Sequence, residues 1–169
     1  MKNPKIKISS NAKKVIKDEN IEIKSHKLAK KNVEAIFLKL CIRNTKWLIV
    51  GGYNPDKKNI SNFLDHISKE IDNLLPNYEN LILLGDFNSE MSEQAMLDFS
   101  ETYNLTNLIT EPTCYKSVEN PSCIDLMLTN RNRCFESPMT IETGLSDCHK
   151  MTVAVMKKHY KKRSYQDPL

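Results

Sequence analysis

The stretch Leu81-Ile82-Leu83-Leu84-Gly85-Asp86-Phe87-Asn88 joins an apolar run to a glycine, a carboxylate and a carboxamide. A short, fully apolar run is typical of a strand that is buried on both faces of a sheet. Glycine permits a tight turn and close backbone approach to a ligand at the end of such a strand. Because alternate residues of an extended chain share a face, we expect Asp86 and Asn88 to point together at its carboxyl end.

The segments on either side of this strand carry helix and strand patterns in turn. Residues 33–41 and 47–50 predict two strands joined by a polar turn, which together form a hairpin. Apolar residues recur at helical spacing from Ile60 to Leu75, with Asn59 or Asp56 as a plausible N-cap. Further predicted elements are a strand around Ile21 and Ile23, a helix that Ser92 could cap, and strands at 124–128 and 152–156. This order predicts an α/β or α+β layered domain.

Length, charge and hydropathy narrow the class of protein. A chain of 169 residues suits one domain, and its net charge of +4 combines basic ends with an acidic middle. Basic ends can attract phosphate and an acidic middle can hold a metal, although solvated tails around an ordinary domain give the same pattern. No apolar run approaches the roughly 20 residues that span a bilayer. The start Met1-Lys2-Asn3-Pro4 has no apolar leader pattern, so we expect an intracellular protein without a membrane partner.

Cysteine and glycine usage excludes several familiar sites. The 5 cysteines are odd in number and show no C-x-x-C spacing, which argues against a disulfide framework and a structural zinc site. The sequence has only 4 glycines, and their spacing matches neither a dinucleotide-binding loop nor a Walker A loop.

Three aspartates lie at or within predicted strands and turns. Asp86 follows the apolar strand, Asp125 lies within an apolar run, and Asp147 precedes His149 by two residues near a glycine turn. Each motif alone is also compatible with a helix cap or an ordinary turn. Together they indicate a metal-assisted phosphoryl site, because carboxylates bind Mg²⁺ and position water.

Four motifs follow one another along the chain: Tyr53-Asn54-Pro55, Gly85-Asp86-Phe87-Asn88, Ser122-Cys123-Ile124-Asp125 and Leu145-Ser146-Asp147. Their order resembles the endonuclease/exonuclease/phosphatase superfamily, and most of all the endonuclease domain encoded ahead of reverse transcriptase in non-long-terminal-repeat retrotransposons. Residues 107–113 and 125–130 strengthen the likeness to that subfamily. The resemblance implies a DNase I-like, four-layer αββα sandwich and a Mg²⁺- or Mn²⁺-dependent phosphodiester cleavage that nicks DNA.

The same resemblance implies a role for each matching residue. Tyr53 would contact the scissile phosphate, and Asn88 would bind a phosphate oxygen. Asp86 would orient or deprotonate the attacking water and, with Asp147, lie at the metal. Asp125 would orient the catalytic histidine of the family.

Two departures from the family pattern bear on activity. The position of the catalytic histidine, directly after Asp147, holds Cys148, and His149 follows it. In an extended segment His149 would share a face with Asp147 while Cys148 points away. The family's early strands, one with an asparagine and one with a metal-binding glutamate, have no counterpart before residue 33. These departures predict weak or absent activity and a domain that is incomplete at its N-terminus. The expected division is a basic segment 1–32, the domain 33–157 and a basic tail 158–169.

Three functions remain open on the sequence. The first is a DNA-nicking endonuclease, with DNA and a divalent cation as partners and a reverse transcriptase domain in an intact parent element. The second is an inactive remnant that binds nucleic acid through its basic ends, of which 157–163 is the densest cluster. The third is a phosphatase of small phosphoesters. The 157–163 cluster is compatible with a nuclear localisation signal and also with a solvated linker.

Overall fold

The structure is a computed structural model that describes residues 22–30, 33–42, 45–144, 146 and 148–157. The predicted basic tail 158–169 and most of the basic segment 1–32 lie outside the described residues. The elements are β1 Glu22–Lys30, β2 Val33–Ile42, β3 Thr45–Tyr53, α1 Ile60–Leu74, β4 Asn80–Asp86, α2 Gln94–Thr102, β5 Thr106–Asn107, β6 Asp125–Thr129, β7 Phe135–Ile141 and β8 Met151–Met156.

Six of the strands form one mixed sheet in the order β1-β2-β3-β4-β6-β5. The predicted hairpin is present as β2 and β3, which pair antiparallel, and β1 pairs antiparallel with β2. β3 and β4 pair in parallel, so the chain between them must cross over the sheet, and it does so through α1. β4 is the central apolar strand that the sequence predicts, and it is flanked by β3 and β6.

The two helices differ in how their N-termini are capped. Of the two predicted N-caps for α1, the structure uses Asn59, whose side chain accepts a hydrogen bond from the backbone N–H of Asn62. The helix ends before a short 3-10 turn that contains Pro76. The predicted cap of α2 is wrong: the helix begins at Gln94 after Glu93, and no side chain caps it. Ser92 therefore lies outside the cap position.

The sheet is covered on both faces. The inward side chains of α1, including Phe63 and Ile67, pack with Leu83 and Leu126 in the main hydrophobic core. On the other face Trp47 and Ile82 form a second, smaller cluster to which the β7–β8 pair contributes Phe135 and Met156. The described residues thus build a helix layer, a six-stranded sheet and a two-stranded sheet. This is the mixed α/β, DNase I-like architecture that was predicted.

Gly85 allows β3 and β4 to approach at the end where the polar motifs lie. It has φ of +144°, and a Cβ atom there would lie 1.8 Å from the carbonyl oxygen of Gly52. No side chain fits at that distance, and an L-residue rarely adopts that φ. The glycine of the Gly85-Asp86-Phe87-Asn88 motif is therefore a requirement of the fold.

All five cysteines are free thiols, and Cys114 and Cys134 are buried. None of the described helices is long and apolar enough to cross a membrane.

Candidate active site

Three predicted site residues form a row at one end of the sheet, where the neighbouring strands β3 and β4 end and β6 begins. In the strand register Tyr53 lies beside Asp86, and Asp86 lies beside Asp125. The residues next to them along the strands point to the other face, and one of these, Leu126, is buried in the main hydrophobic core with the helices. Because side chains alternate along a strand, the row faces the opposite side of the sheet, the side on which β7 and β8 pack. β3, β4 and β6 thus bring a phenol and two carboxylates together.

The turn after β4 directs Asn88 back toward this row. The backbone N–H of Asn88 donates to Oδ1 of Asp86 over 2.9 Å, and the residue has φ of +49°. Asparagine tolerates this left-handed conformation better than most residues. Its side-chain Nδ2 donates to the carbonyl oxygen of Asn54 over 2.8 Å. Since Nδ2 carries two hydrogens, one N–H remains for a ligand.

Asn54 is the buried anchor of this turn. It is 0% exposed, and its backbone N–H donates to the carbonyl oxygen of Asp86 over 2.9 Å. Its Nδ2 donates to the carbonyl oxygens of Phe87 and Asp56, both at 3.0 Å, and its Oδ1 accepts from the N–H of Asp56. Asn54 therefore links the end of β3 to the Asp86–Asn88 turn.

His149 reaches the row from a distant part of the chain. Its Nδ1 lies 3.4 Å from Oδ2 of Asp125, and the two side chains are 25% and 22% exposed. Its Nε2 lies 3.5 Å from the Sγ atom of Cys114. The side chain of His149 thus lies between a carboxylate and a thiol.

A short central segment, Thr113–Tyr115, places His149 there. On one side the N–H of Cys114 donates to the carbonyl oxygen of Ser122, three residues before Asp125. On the other side the N–H of Tyr115 donates to the carbonyl oxygen of Cys148 over 2.7 Å. Cys114 forms isolated bridges with both Ser122 and His149. The segment therefore holds the chain before Asp125 and the chain around His149 side by side.

The thiol of Cys148 lies in a different environment from the imidazole of His149. Its Sγ is 3.9 Å from Oγ of Ser146, and the same Oγ accepts from the N–H of His149 over 3.2 Å. Asp147, which the resemblance places at the metal, lies outside the described residues.

Charge and burial act together on Asp86. Burial raises the pKa of its carboxyl above the ordinary value of 3.8, and the negative charge of Asp125 adds to the rise. The N–H of Asn88 and the positive charges of His149 and Lys116 lower the pKa in part. A cation beside the two carboxylates would relieve their repulsion, so the donor chemistry of the row fits a hard divalent ion.

Within the described ranges, no group of three or more His, Cys, Asp or Glu side chains has a geometry that could hold a metal ion.

Three residues of this arrangement were not assigned roles from the sequence. Asn54 and Thr113 lie within the quoted motifs, and Cys114 directly follows one of them. A buried asparagine or threonine must satisfy its polar groups, but the sequence does not tell which partners it has. Only the pairing of Thr113–Tyr115 with two other segments reveals them.

Comparison with solved structures confirms the fold. The endonuclease domain of TRAS1, a telomere-specific non-LTR retrotransposon, matches with a TM-score of 0.61 and 16% identity, over 80% of this chain and 68% of that one. An endonuclease/exonuclease/phosphatase protein from Bacteroides vulgatus matches with a TM-score of 0.61 and 12% identity, over 82% and 67%. The Bacteroides thetaiotaomicron mannosyl-6-phosphatase Bt3783 matches with a TM-score of 0.54 and 13% identity, over 82% and 67%. The chain thus spans about two thirds of the length of these proteins.

No protein-family model and no curated protein matches the chain. The chain has the fold of the endonuclease/exonuclease/phosphatase proteins, which includes a retrotransposon endonuclease domain.

Proposed function

We propose that the chain is a retrotransposon-type endonuclease domain that hydrolyses phosphodiester bonds of DNA with a divalent cation. The observation that carries the proposal is the meeting of Asp86, Asn88, Asp125 and His149 at one end of the sheet. These residues come from three separate motifs, and a structural role alone does not require them to converge. A carboxylate, an amide donor and a carboxylate-bound imidazole are the groups that phosphodiester hydrolysis uses.

Asp86 is the proposed base. Burial raises the pKa of its carboxyl, which makes the carboxylate a stronger acceptor for the proton of an attacking water. In the reaction the water oxygen forms a bond to phosphorus as its proton passes to Asp86. The bond to the leaving sugar oxygen breaks, that oxygen takes up a proton from solvent water, and Asp86 then releases its own proton to solvent. The products are a phosphomonoester and an alcohol.

His149 and Asp125 form the proposed donor pair. The carboxylate of Asp125, 3.4 Å from Nδ1, can accept a hydrogen bond from an Nδ1–H group and orient the ring, and in the doubly protonated imidazolium Nε2 also carries an N–H. That N–H can donate to a phosphate oxygen, on which negative charge grows in the transition state. For this the ring must exchange its contact with the thiol of Cys114 for one with substrate. The role that the resemblance gives to the position of Cys148 is thus assigned to His149.

Asn88 and Tyr53 are the proposed phosphate ligands. The second N–H of the Asn88 side chain is free of the bond to Asn54 and can donate to a phosphate oxygen. Tyr53 is 45% exposed beside Asp86, so its hydroxyl is accessible to a bound nucleic acid.

Mg²⁺ or Mn²⁺ is the proposed cofactor. Asp86, and Asp147 by the resemblance, are the carboxylates that would hold it. A bound cation supplies positive charge to the developing phosphorane and lowers the pKa of a bound water. The repulsion between Asp86 and Asp125 supports a cation at this place.

DNA, and a reverse transcriptase domain in an intact parent element, are the proposed partners. The proposed domain is 33–157, extended by β1, which pairs with β2 from residue 22 onward. We also propose that the basic cluster 157–163 directs the protein to the nucleus.

A plasmid-nicking assay with Mg²⁺ tests the function. We expect conversion of supercoiled to open-circular DNA, and Asp86→Ala should lower the rate by about 10²- to 10⁴-fold because it removes the base. Asp65→Ala removes an exposed carboxylate from α1, on the opposite side of the sheet, and should leave the rate unchanged. Absence of nicking by the wild-type chain, or equal nicking by Asp86→Ala, would overturn the proposal.

The two other functions are outcomes of the same experiment. Binding of labelled DNA without nicking would favour the nucleic-acid-binding remnant. Turnover of a small phosphomonoester that DNA inhibits poorly would favour a phosphatase, the activity named for the mannosyl-6-phosphatase of the same fold.

A further inference from the structure

Thr113 is a buried polar residue at the centre of the site's framework. It is 0% exposed. Its Oγ1 accepts hydrogen bonds from two consecutive backbone N–H groups, that of Ile124 over 3.2 Å and that of Asp125 over 3.0 Å. A side chain that accepts two backbone donors fixes the path of the chain at those residues.

These bonds continue the edge of β6 beyond the point where its partner strand ends. β5 pairs with β6 only at Thr129 and Leu128. Beyond them the N–H of Met127 donates to Oδ1 of Asn107, and that of Asp125 donates to Oγ1 of Thr113. The side chains of Asn107 and Thr113 thus accept the hydrogen bonds that strand carbonyls would accept in a longer β5. The Thr113 hydroxyl thereby holds Asp125, whose carboxylate contacts His149.

The backbone of Thr113 is tied to both neighbouring segments. Its N–H donates to the carbonyl oxygen of Ser122 over 2.9 Å, and its carbonyl oxygen accepts from the N–H of Lys150 over 2.8 Å. Lys150 directly follows His149. Thr113 is therefore bonded to Asp125 itself and to the neighbour of His149, so one residue sets the relative position of both members of the pair.

We propose that Thr113 is a positioning residue for the Asp125–His149 pair and affects hydrolysis only through that pair. The proposal rests on the proposed function of the pair, but the geometry that it predicts can be tested without activity. Thr113→Val keeps the shape of the side chain and removes the acceptor, which frees Asp125 to move relative to His149. Thr113→Ser keeps the acceptor.

We expect Thr113→Val to lower kcat for nicking by about 10- to 100-fold, as loss of an orienting partner commonly does, with KM for DNA unchanged. Thr113→Ser should restore most of the rate. In a His149→Ala background Thr113→Val should cost nothing further, because the pair on which Thr113 acts is already broken. An equal fold-loss in both backgrounds would overturn the proposal and leave Thr113 a purely structural residue.

Thr129→Val is the matched control. Thr129 is also 0% exposed and lies at the opposite end of β6, where its Oγ1 donates to the carbonyl oxygen of Leu81 over 2.8 Å. A similar loss of stability with wild-type kcat is expected, since this threonine does not contact the pair. If Thr113→Val does not fold, Thr113→Ala serves in the same comparisons.

A second readout separates failure of this proposal from failure of the proposed function. If the wild-type chain does not nick DNA, NMR still reports the position of the His149 ring and the exchange rate of the Asp125 amide. Thr113→Val should shift the ring resonances and accelerate exchange of that amide, whereas Thr113→Ser and Thr129→Val should do neither. Unchanged ring resonances in Thr113→Val would overturn the positioning role whatever the activity.

Discussion

The Nδ1 atom of His149 lies 3.4 Å from Oδ2 of Asp125, although the two residues are 24 positions apart in the sequence. This contact favours His149 over its neighbour Cys148 as the proposed donor to phosphate. The family pattern places a histidine where this chain has Cys148, and the imidazole that meets the carboxylate belongs to the next residue. The Oγ of Ser146 accepts from the N–H of His149 and helps to hold the imidazole near Asp125.

The first prediction concerns these two neighbours. His149→Ala should lower the nicking rate by about 10²- to 10³-fold, because it removes a donor to the transition state. Cys148→Ala should leave it unchanged, since the Cys148 thiol lies near Ser146 and not at Asp125. Cys148→His should bring no gain while His149 is present. Initial rates of plasmid nicking measure all three, and a gain in Cys148→His would restore the family register and contradict our assignment.

The second prediction concerns the pH dependence of stability through Asp86. Its pKa is raised by burial, so the folded chain binds this proton more tightly than the unfolded chain does. The stabilisation by this group is fully present below the unfolded pKa of 3.8 and is lost as pH rises through the folded pKa. Asp86→Asn keeps the acceptor for Asn88 but cannot ionise.

At neutral pH the Asp86→Asn variant should therefore be more stable than the wild type, and the gain should shrink as pH falls toward the pKa of the carboxyl. Urea unfolding midpoints at a series of pH values measure this. A gain that grows on acidification would contradict the direction of the pKa shift.

The third prediction compares two glycines of neighbouring strands. Gly85→Ala would place a Cβ atom 1.8 Å from the carbonyl oxygen of Gly52, so β3 and β4 must separate. We expect a loss of about 4 kcal/mol or more in the free energy of unfolding, or no folded protein. A Cβ atom at Gly51 meets nothing within 4 Å, and Gly51→Ala should change stability by about 1 kcal/mol or less. Chemical denaturation of both variants checks the contrast; equal stabilities would contradict the close approach.

The fourth prediction concerns the anchor of the Asp86–Asn88 turn. Asn54→Ala leaves the buried carbonyl oxygen of Phe87 without its 3.0 Å donor, which costs about 1–3 kcal/mol. It also loosens the turn that carries Asn88, so kcat for nicking should fall. Asn59→Ala removes the N-cap of α1 and should cost about 1 kcal/mol without a change in kcat. Equal kcat values for the two variants would show that Asn54 serves stability alone.

The elements with a strong local pattern were predictable from the sequence. The apolar run before Gly85 predicts β4, and the helical spacing from Ile60 predicts α1 nearly to its last residue. In both cases the element forms because it buries a continuous apolar surface, and the spacing of apolar residues in the sequence reveals that surface. β7 was not predicted, because it contains Pro138, an apolar-poor pattern and a residue, Ser137, with φ of +50°. Its register with β8 shifts between Glu136 and Met139, which removes any simple alternation.

The candidate site was predictable only in part for a related reason. Tyr53, Asp86 and Asp125 end or begin apolar strands, so the pattern reveals them. That they form a row depends on strand order, which local pattern does not encode. The partnership of His149 with Asp125 depends on Thr113 and Cys114, whose contacts span 11 to 35 residues of sequence. The sequence leaves Cys148 and His149 as candidates for the proposed donor, and the tertiary contact with Asp125 favours His149.

The parallel pairing of β3 with β4 has a consequence for how the chain folds. The β2–β3 hairpin needs only a short turn, but β4 reaches β3 after the whole of α1, and β6 reaches β4 from about 40 residues farther along the chain. Each long closure costs chain entropy before it gains contacts, so such pairings form late and slowly. The proposed catalytic carboxylates of Asp86 and Asp125 lie on β4 and β6, the strands that these late pairings bring together. Nicking activity would therefore appear only when folding is complete, well after the hairpin has formed, and a refolding experiment followed by both probes would separate the two phases in time.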